Sequence, residues 1–237
     1  LSLEQYQTAK KYGFQDKTIK RLAQVDVLPV ENYRAGFKMV DTCAAEFSAN
    51  TPYFYSTYDG DNEAAEFIAA REAEAAANGQ PKKKKVLVFG SGPIRIGQGI
   101  EFDYCSVHCV WTLKNHGCEA ILVNNNPETV STDFDTGDRL YFDPLNPESV
   151  DNIIATEKPD ACVVQFGGQT AIKLAKHMDE IGLPILGTPA DAIDEAEDRE
   201  RFDELLERCK IPRAPGRTVF NLEEALAAAD EIGLPVL

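Results

Sequence analysis

The stretch from residue 85 to residue 126 constrains the fold of this chain more than any other. Residues 86–89 form a short apolar run that ends at Gly90-Ser91-Gly92-Pro93, a pattern typical of a strand buried on both faces and followed by a tight turn. A helix follows, Gly117 ends it, and residues 118–123 supply a second apolar run. A strand, a helix and a second strand within about 40 residues predict a parallel sheet with right-handed crossovers.

The glycine turn raises the question of a dinucleotide site, because a pyrophosphate binds where glycines join a strand to a helix. Two features count against such a site. The fingerprint requires G-x-G-x-x-G, but here Gly97 comes five positions after Gly92. After the second strand, Asn124-Asn125-Asn126 replaces the acidic residue that would hold a ribose. The sequence therefore disfavours NAD binding.

The composition of the chain limits its number of domains and the classes of partner it can bind. The chain has 237 residues, of which 43% are hydrophobic, so it can form a sizeable core and one or two domains. Its 24 basic and 39 acidic residues give a formal net charge of −15, which disfavours general nucleic-acid binding. The sequence has no apolar run of membrane-spanning length and no signal-peptide pattern at its first residues. We therefore expect a cytoplasmic protein with no membrane or nucleic-acid partner.

A run of four lysines at 82–85 divides the chain. Set against the negative net charge and lying just before a buried strand, the run is interpreted as a solvated linker rather than a nucleic-acid or membrane patch. Beyond it, strands and helices alternate as in a doubly wound, Rossmann-like sheet that gathers its loops at the carboxyl edge. The predicted parts are a small, mostly helical segment at 1–80, an α/β domain at 81–190, and charged helices at 191–237 that lead towards a further domain.

A repeated motif near the last residues predicts that the chain is a piece of a longer protein. Asp-Glu-Ile-Gly-Leu-Pro occurs at 179–184 and again at 230–235, each time as a helix end that leads towards a strand. Only two residues follow the second copy, so we expect the chain to be a piece of a longer protein.

Cysteine and histidine residues gather on the predicted helix after the glycine turn. Cys105 and Cys109 lie one helical turn apart with His108 between them, and His116 and Cys118 follow. A zinc site needs converging ligands, whereas these residues alternate with apolar ones. Buried, reduced thiols are the favoured interpretation for these cysteines, as for the chain's six cysteines in general.

Polar side chains follow two neighbouring strands of the predicted sheet. Because the carboxyl ends of parallel strands meet at one edge, these side chains are expected to lie together. They form either a polar passage or small-anion site, or only a hydrogen-bonded network of loops, and the residue pattern leaves both open. The residues are Arg95, Glu101 and Asp103 around the glycine turn, and Asn124, Asn126 and Glu128 after the second strand.

Four long motifs, in order, resemble the large subunit of carbamoyl phosphate synthetase. Residues 40–47 and 53–58 resemble the end of the oligomerisation domain of that family, and Arg-Ile-Gly-Gln-Gly at 95–99 resembles its second, carbamate-phosphorylating half. The resemblance covers essentially the whole chain and implies a pre-ATP-grasp α/β domain at its centre. The four motifs are GPIRIGQGIEFDYC at 92–105, VNNNPETVSTD at 123–133, QFGGQT at 165–170 and AEDRERF at 196–202.

The resemblance implies an ATP-dependent ligase that makes carbamoyl phosphate from bicarbonate, glutamine-derived ammonia and two ATP, for pyrimidine and arginine synthesis. The implied cofactors of the full-length enzyme are ATP, Mg²⁺ or Mn²⁺, and K⁺. Its implied partners are a glutamine amidotransferase small subunit and further copies of the large subunit. The second half would phosphorylate carbamate that arrives through an internal tunnel, since an unstable intermediate must be kept from water.

The resemblance also implies roles for four residues. Arg95, Glu101 and Glu128 match residues that line the tunnel, and Arg199 matches an arginine near the nucleotide, where a fixed cation would offset phosphate charge. No catalytic or metal-ligating residue is expected within the chain, because the glycine-rich lid and the magnesium-binding carboxylates of the family would follow residue 237.

We therefore expect the isolated chain neither to turn over nor to bind ATP tightly. Two alternatives remain. The first is another ATP-grasp enzyme such as a biotin-dependent carboxylase, which should lack the segment at 1–58. The second is a non-catalytic nucleotide-sensing or interaction module.

Overall fold

A computed structural model describes residues 1–42, 44, 46–47, 51–92 and 97–236 of the chain. It divides into two compact units, Leu1–Gly187 and Thr188–Leu237. The first unit contains a six-stranded sheet and seven α-helices in its described residues. The strands are β1 (Gly36–Met39), β2 (Tyr53–Thr57), β3 (Lys85–Phe89), β4 (Glu119–Val123), β5 (Arg139–Tyr141) and β6 (Ala161–Val163), and the helices are α1 (Leu3–Lys11), α2 (Asp16–Ala23), α3 (Glu63–Ala77), α4 (Gly99–Asn115), α5 (Pro147–Glu157), α6 (Gly168–Ile172) and α7 (Ala175–Glu180).

The strands of the sheet lie in the order β1-β2-β5-β4-β3-β6. All neighbouring strands are parallel except β1 and β2, which form an antiparallel pair. Strand order reverses between β3 and β6, as it does at the centre of a doubly wound sheet. The predicted α/β class and parallel doubly wound sheet are confirmed, and β1 and β2 extend that sheet from the segment before residue 80.

Helices cover both faces of the sheet. Leu140 of β5 belongs to a core cluster with residues of α4, whereas Arg139 and Tyr141 point to the opposite face and bond to Glu157 at the end of α5. This alternation follows from the two-residue period of a strand. The buried core cluster on the α4 side consists of Val88, Val110, Ala120, Leu122 and Leu140.

The first two helices are tied to α5 by a buried ion network. The side chain of Lys10 is only 1% exposed and contacts the carboxylates of Asp16, at 2.9 Å, and of Glu148. Glu148 also accepts a hydrogen bond from the backbone N–H of Asp16 at 2.7 Å. The assignment of residues 1–80 to a separate family domain stays a prediction, but the contacts of Lys10 place α1 and α2 in the same compact unit as α5.

Near the end of this unit the regular alternation of strands and helices weakens. The helical stretch after β6 is interrupted at Leu174, between α6 and α7. The segment that follows α7 adds an isolated bridge to the sheet, between Ile185 and Cys162.

The second unit contains α8 (Ala190–Glu197), α9 (Arg199–Arg208) and α10 (Leu222–Ile232). The charged stretch from 191 to 209 forms two helices because Asp198 separates them. Its carboxylate accepts a hydrogen bond from the backbone N–H of Arg201 at 2.9 Å, which caps the start of α9.

Candidate functional site at the carboxyl edge of the sheet

The glycines after β3 make room for side chains of the chain itself. A Cβ atom on Gly90 would lie 2.5 Å from Nδ2 of Asn124, and one on Gly92 would lie 2.5 Å from Oδ1 of Asn125. Gly92 also has a φ of +62°, which favours glycine. Gly90 and Gly92 are therefore explained by packing within the chain.

The switch point between β3 and β6, where doubly wound folds usually bind ligands, is filled by backbone. A Cβ atom on Gly167 would lie 2.7 Å from the carbonyl oxygen of Phe89 and 2.6 Å from that of Gly90. The loop after β6 is thus packed directly against the end of β3, and polar groups lie instead in the loop after β4.

Asn124 connects the turn after β3 to the loop after β4. Its side chain is 1% exposed, and Oδ1 accepts hydrogen bonds from the backbone N–H of Gly92 at 3.0 Å and of Asn126 at 3.1 Å. Two N–H donors converge on one atom, which identifies that atom as the amide oxygen. The backbone N–H of Asn124 donates to the carbonyl of Tyr141, so the side chain projects from a fixed position at the end of β4.

The loop continues as a series of short polar turns. Oδ1 of Asn126 accepts a hydrogen bond from the backbone N–H of Glu128 at 3.1 Å, and the hydroxyl of Thr132 donates to the carbonyl of Thr129 at 2.7 Å. Such side-chain bonds to nearby backbone stabilise turns outside regular elements. The backbone of Glu128 is therefore held in place while its side chain stays exposed.

Asp103 joins the same loop to α4. Its carboxylate is buried at 7% exposure and accepts the backbone N–H of Ser131 through both oxygens, at 3.1 and 3.2 Å. The exposed Glu101 lies two positions before Asp103 in the first turn of α4, and the exposed Glu128 lies three positions before Ser131. Two of the predicted site residues, Glu101 on α4 and Glu128 in the loop after β4, thus lie on elements that are hydrogen-bonded to each other.

The other predicted site residues lie elsewhere. Arg95 is outside the described residues, although Gly92, whose N–H bonds to Asn124, comes three positions before it. Arg199 is the first residue of α9 in the second unit, and it is exposed. The described residues of the polar edge are joined by hydrogen bonds. The passage remains a prediction.

The opposite, amino-terminal edge of the sheet has a cleft of about 550 Å³ bordered by charged residues. Beneath it, Arg139 donates from Nε to Glu157 at 2.7 Å and from Nη2 to Glu119 at 2.7 Å. The hydroxyl of Tyr141 donates to Glu157 at 2.6 Å, and burial together with that carboxylate raises the pKa of Tyr141.

Lys85, predicted to be part of a solvated linker, is instead buried and paired with Glu72 at 2.8 Å.

Comparison with known proteins agrees with the sequence motifs. Residues 82–195 match the family described as the carbamoyl phosphate synthase preATP-grasp domain. The carbamoyl phosphate synthase large chain of Lachnoclostridium phytofermentans is 57% identical over 236 residues, which is 97% of this chain. The large chain of Agathobacter rectalis is 55% identical over 243 residues and covers the whole chain. Over nearly its whole length, the chain matches a segment of carbamoyl phosphate synthase large chains.

The chain spans only about a fifth of these carbamoyl phosphate synthase large chains, 21% of the first and 22% of the second. Among solved structures, a pyruvate carboxylase from Rhizobium etli is 16% identical, with a TM-score of 0.48 over 65% of this chain and 14% of its own.

The family resemblance implies that the full-length enzyme uses metal ions. The described ranges of this chain contain no group of three or more histidine, cysteine or acidic residues arranged to hold one.

Cys105 is exposed, which corrects the prediction of a buried thiol. Burial raises the pKa of the Cys109 thiol to about 11 and that of the Cys162 thiol to about 12. In the part of the chain that the structure describes, no helix is long and apolar enough to cross a membrane.

Sequence reasoning identified Asn124 and Asn126 as polar residues of this edge but missed their role. The available signal was their position, because an amide side chain directly after a buried strand can bond to backbone on either side. The buried pair of Arg139 and Glu157 was missed because 18 residues separate its partners in sequence, and no local pattern relates the start of a strand to the end of the following helix.

Proposed function

We propose that this chain is the part of a carbamoyl phosphate synthase large chain that delivers carbamate to its phosphorylation site. In that reaction a carbamate oxygen attacks the γ-phosphorus of ATP, the bond to the β–γ bridging oxygen breaks, and carbamoyl phosphate and ADP form. The observation that carries the proposal is the 57% identity to a synthase large chain over 97% of the chain. A biotin-dependent carboxylase, which we expect to lack the segment at 1–58, is less consistent with similarity of that extent.

The carboxyl edge suits a passage for a small polar intermediate. Glu101 and Glu128 are exposed, and the hydrogen bonds that hold their loops are made by other groups. Both carboxylates are therefore available to accept hydrogen bonds from the N–H groups of carbamate and to repel its carboxylate. Arg95, which follows the same glycine turn in sequence, would attract the carbamate carboxylate. Together these charges would orient carbamate as it passes.

Arg199 is proposed to contact the nucleotide. It is the first residue of α9, and the described contacts give its guanidinium no ion pair. A cation at a helix N-terminus adds to the positive end of the helix dipole, which is unfavourable unless an anion binds there. A phosphate group of ATP would supply that anion.

The remaining properties belong to the full-length protein. We propose that it uses ATP with Mg²⁺ or Mn²⁺ and K⁺, pairs with a glutamine amidotransferase small subunit, self-associates, and serves pyrimidine and arginine synthesis in the cytoplasm. The described residues of this chain offer no metal-ligand cluster, so we assign none of them to a metal ion.

The test measures carbamoyl phosphate formed and ATP hydrolysed by the full-length protein, supplied with bicarbonate, ammonia and ATP. We expect Glu128→Gln to lower the yield of carbamoyl phosphate per ATP, and Arg199→Met to raise the KM for ATP by about tenfold, the loss of one charge-assisted contact. Glu74→Gln, at an exposed position of α3, is the control and should change neither. Absence of carbamoyl phosphate with the unaltered protein would contradict the proposal.

A further inference from the structure

We infer that Asn124 is a positioning residue, which fixes Gly92, in the turn after β3, relative to the loop that carries Glu128. This inference rests on the proposed function for its consequence, but its geometry stands on the structure alone. Neither the identity of the family nor any motif assigns a role to Asn124. The two loops come from different strands, and the amide oxygen of Asn124 accepts a hydrogen bond from each.

The contacts of Asn124 make it the common point of both loops. Gly92 is the last described residue before Arg95, and its N–H donates to Oδ1 of Asn124 at 3.0 Å. Asn126, which donates to the same oxygen at 3.1 Å, in turn accepts the N–H of Glu128. A shift of the Asn124 side chain would therefore be passed to both loops at once.

Burial strengthens the two hydrogen bonds of Asn124 and favours a neutral amide at this position. At 1% exposure, water does not compete for the two hydrogen bonds. The Nδ2 group of Asn124 is buried and has no hydrogen-bond partner among the described residues, a cost that a plain structural position would not be expected to keep. Aspartate offers the same acceptor geometry but would add a buried negative charge to the edge that carries Glu101 and Glu128. A neutral amide holds the loops without changing the charge of the edge.

Gly90 provides an independent way to move Asn124. A Cβ atom at Gly90 would lie 2.5 Å from Nδ2 and 2.7 Å from Cγ of Asn124. Gly90 does not have a positive φ, so alanine is compatible with its backbone and acts through this contact. Gly90→Ala is thus expected to displace the Asn124 side chain without removing it.

The first arm of the test measures amide hydrogen exchange in the chain and does not depend on the proposed function. In Asn124→Ala, exchange at Gly92 and Asn126 should accelerate about tenfold or more, the effect of losing one buried hydrogen bond. In Asn126→Ala only Glu128 should accelerate. Asn78→Ala changes an exposed asparagine at the end of α3, away from both loops, and should leave all three amides unchanged. Asn124→Asp keeps the acceptor and should keep the amides protected, and unchanged exchange in Asn124→Ala would overturn the inference.

The second arm separates positioning from a purely structural role. In the full-length protein, Asn124→Ala and Gly90→Ala should lower carbamoyl phosphate formed per ATP hydrolysed by about threefold or more while ATP hydrolysis continues. The control Asn78→Ala should leave this ratio unchanged. If Asn124→Ala does not fold, Gly90→Ala carries the test. A normal ratio despite faster exchange would overturn the positioning role and leave the proposed function intact. Failure of the unaltered protein to make carbamoyl phosphate would instead refute the proposed function.

Discussion

The two edges of the sheet use charge in opposite ways. At the amino-terminal edge, Arg139 and Glu157 are almost fully buried and form an ion pair with each other. Arg139 also pairs with Glu119. At the carboxyl edge, the loops are held by the amide oxygens of Asn124 and Asn126 and by the carboxylate of Asp103. The carboxylates of Glu101 and Glu128 remain exposed there. Paired charges at the amino-terminal edge therefore stabilise the fold, whereas the exposed charges at the carboxyl edge are available for a ligand.

The largest expected effect is at the amino-terminal edge. Glu157→Ala would leave the guanidinium of Arg139 and the hydroxyl of Tyr141 buried without their partner. Removing one member of a buried ion pair costs about 3–5 kcal/mol of unfolding free energy, which chemical denaturation would measure. The exposed pair Arg71–Glu74 provides the control, and Glu74→Ala should cost less than about 1 kcal/mol. Equal losses would show that the buried pair does not stabilise the fold.

A smaller loss is expected where α1 and α2 are tied to the unit. Lys10→Met keeps the apolar stem but leaves Asp16 and Glu148 facing each other without a cation. Both carboxylates are about a third exposed, so we expect a cost of about 2–3 kcal/mol, less than for Glu157. Limited proteolysis should then cut between α2 and β1 first. Unchanged stability and cleavage would mean that apolar packing alone holds these helices.

Asp143 is a second buried carboxylate at the carboxyl edge, besides Asp103, and its described hydrogen bonds come from Ser56. Burial raises its pKa to about 6, and the Ser56 bonds offset only part of that rise. The folded protein therefore binds this proton more tightly than the unfolded chain, whose carboxyl has a pKa of about 3.9. Stability should fall as pH rises from about 4 to about 6, with the full cost present above that range.

Replacing Asp143 tests this dependence. An asparagine side chain at this position would keep an acceptor for the backbone N–H of Ser56 and lose the charge, so Asp143→Asn should flatten the pH profile of unfolding by on the order of 1–3 kcal/mol. Denaturation at pH 4, 5, 6 and 7 measures it, with Asp135→Asn at the exposed loop as control. A profile as steep as that of the unaltered chain would contradict the assigned pKa.

The smallest expected effect is at Glu128. Its carboxylate is exposed and only its backbone N–H takes part in the loop network. Glu128→Gln should therefore change the unfolding free energy by less than about 0.5 kcal/mol, as is usual for a surface substitution. A larger loss would mean that the carboxylate stabilises the loop, and the contrast between the two edges would disappear.

The central fold was predictable because its signals are local. The apolar run at 86–89, the glycine turn and the stop at Gly117 each follow from neighbouring residues, and β3, α4 and β4 lie where that pattern predicts. By contrast, β2 pairs with β5 across more than 80 residues of sequence, and no local pattern indicates that pairing. The sequence therefore predicted a small, mostly helical segment at 1–80 and did not place β1 and β2 in the sheet.

The site was predictable to the level of an edge but not to that of its contacts. Parallel strands bring Glu101 and Glu128 to one side of the sheet, which spacing alone indicated. The burial of Asp103 against Ser131 and the two bonds to Asn124 depend on how the loops fold back. Asp198 caps α9 and so divides the charged helical stretch in two. This capping signal is local, but the charge pattern of the surrounding residues suggests continuous helix and obscures it.

The most direct test compares one carboxylate from each edge in the full-length protein, by measuring the melting temperature and the carbamoyl phosphate formed per ATP hydrolysed. We predict that Glu128→Gln lowers the ratio and leaves the melting temperature unchanged, whereas Glu157→Gln lowers the melting temperature and leaves the ratio of the folded protein unchanged. A lowered ratio with Glu157→Gln and an unaffected ratio with Glu128→Gln would contradict the division of roles between the two edges.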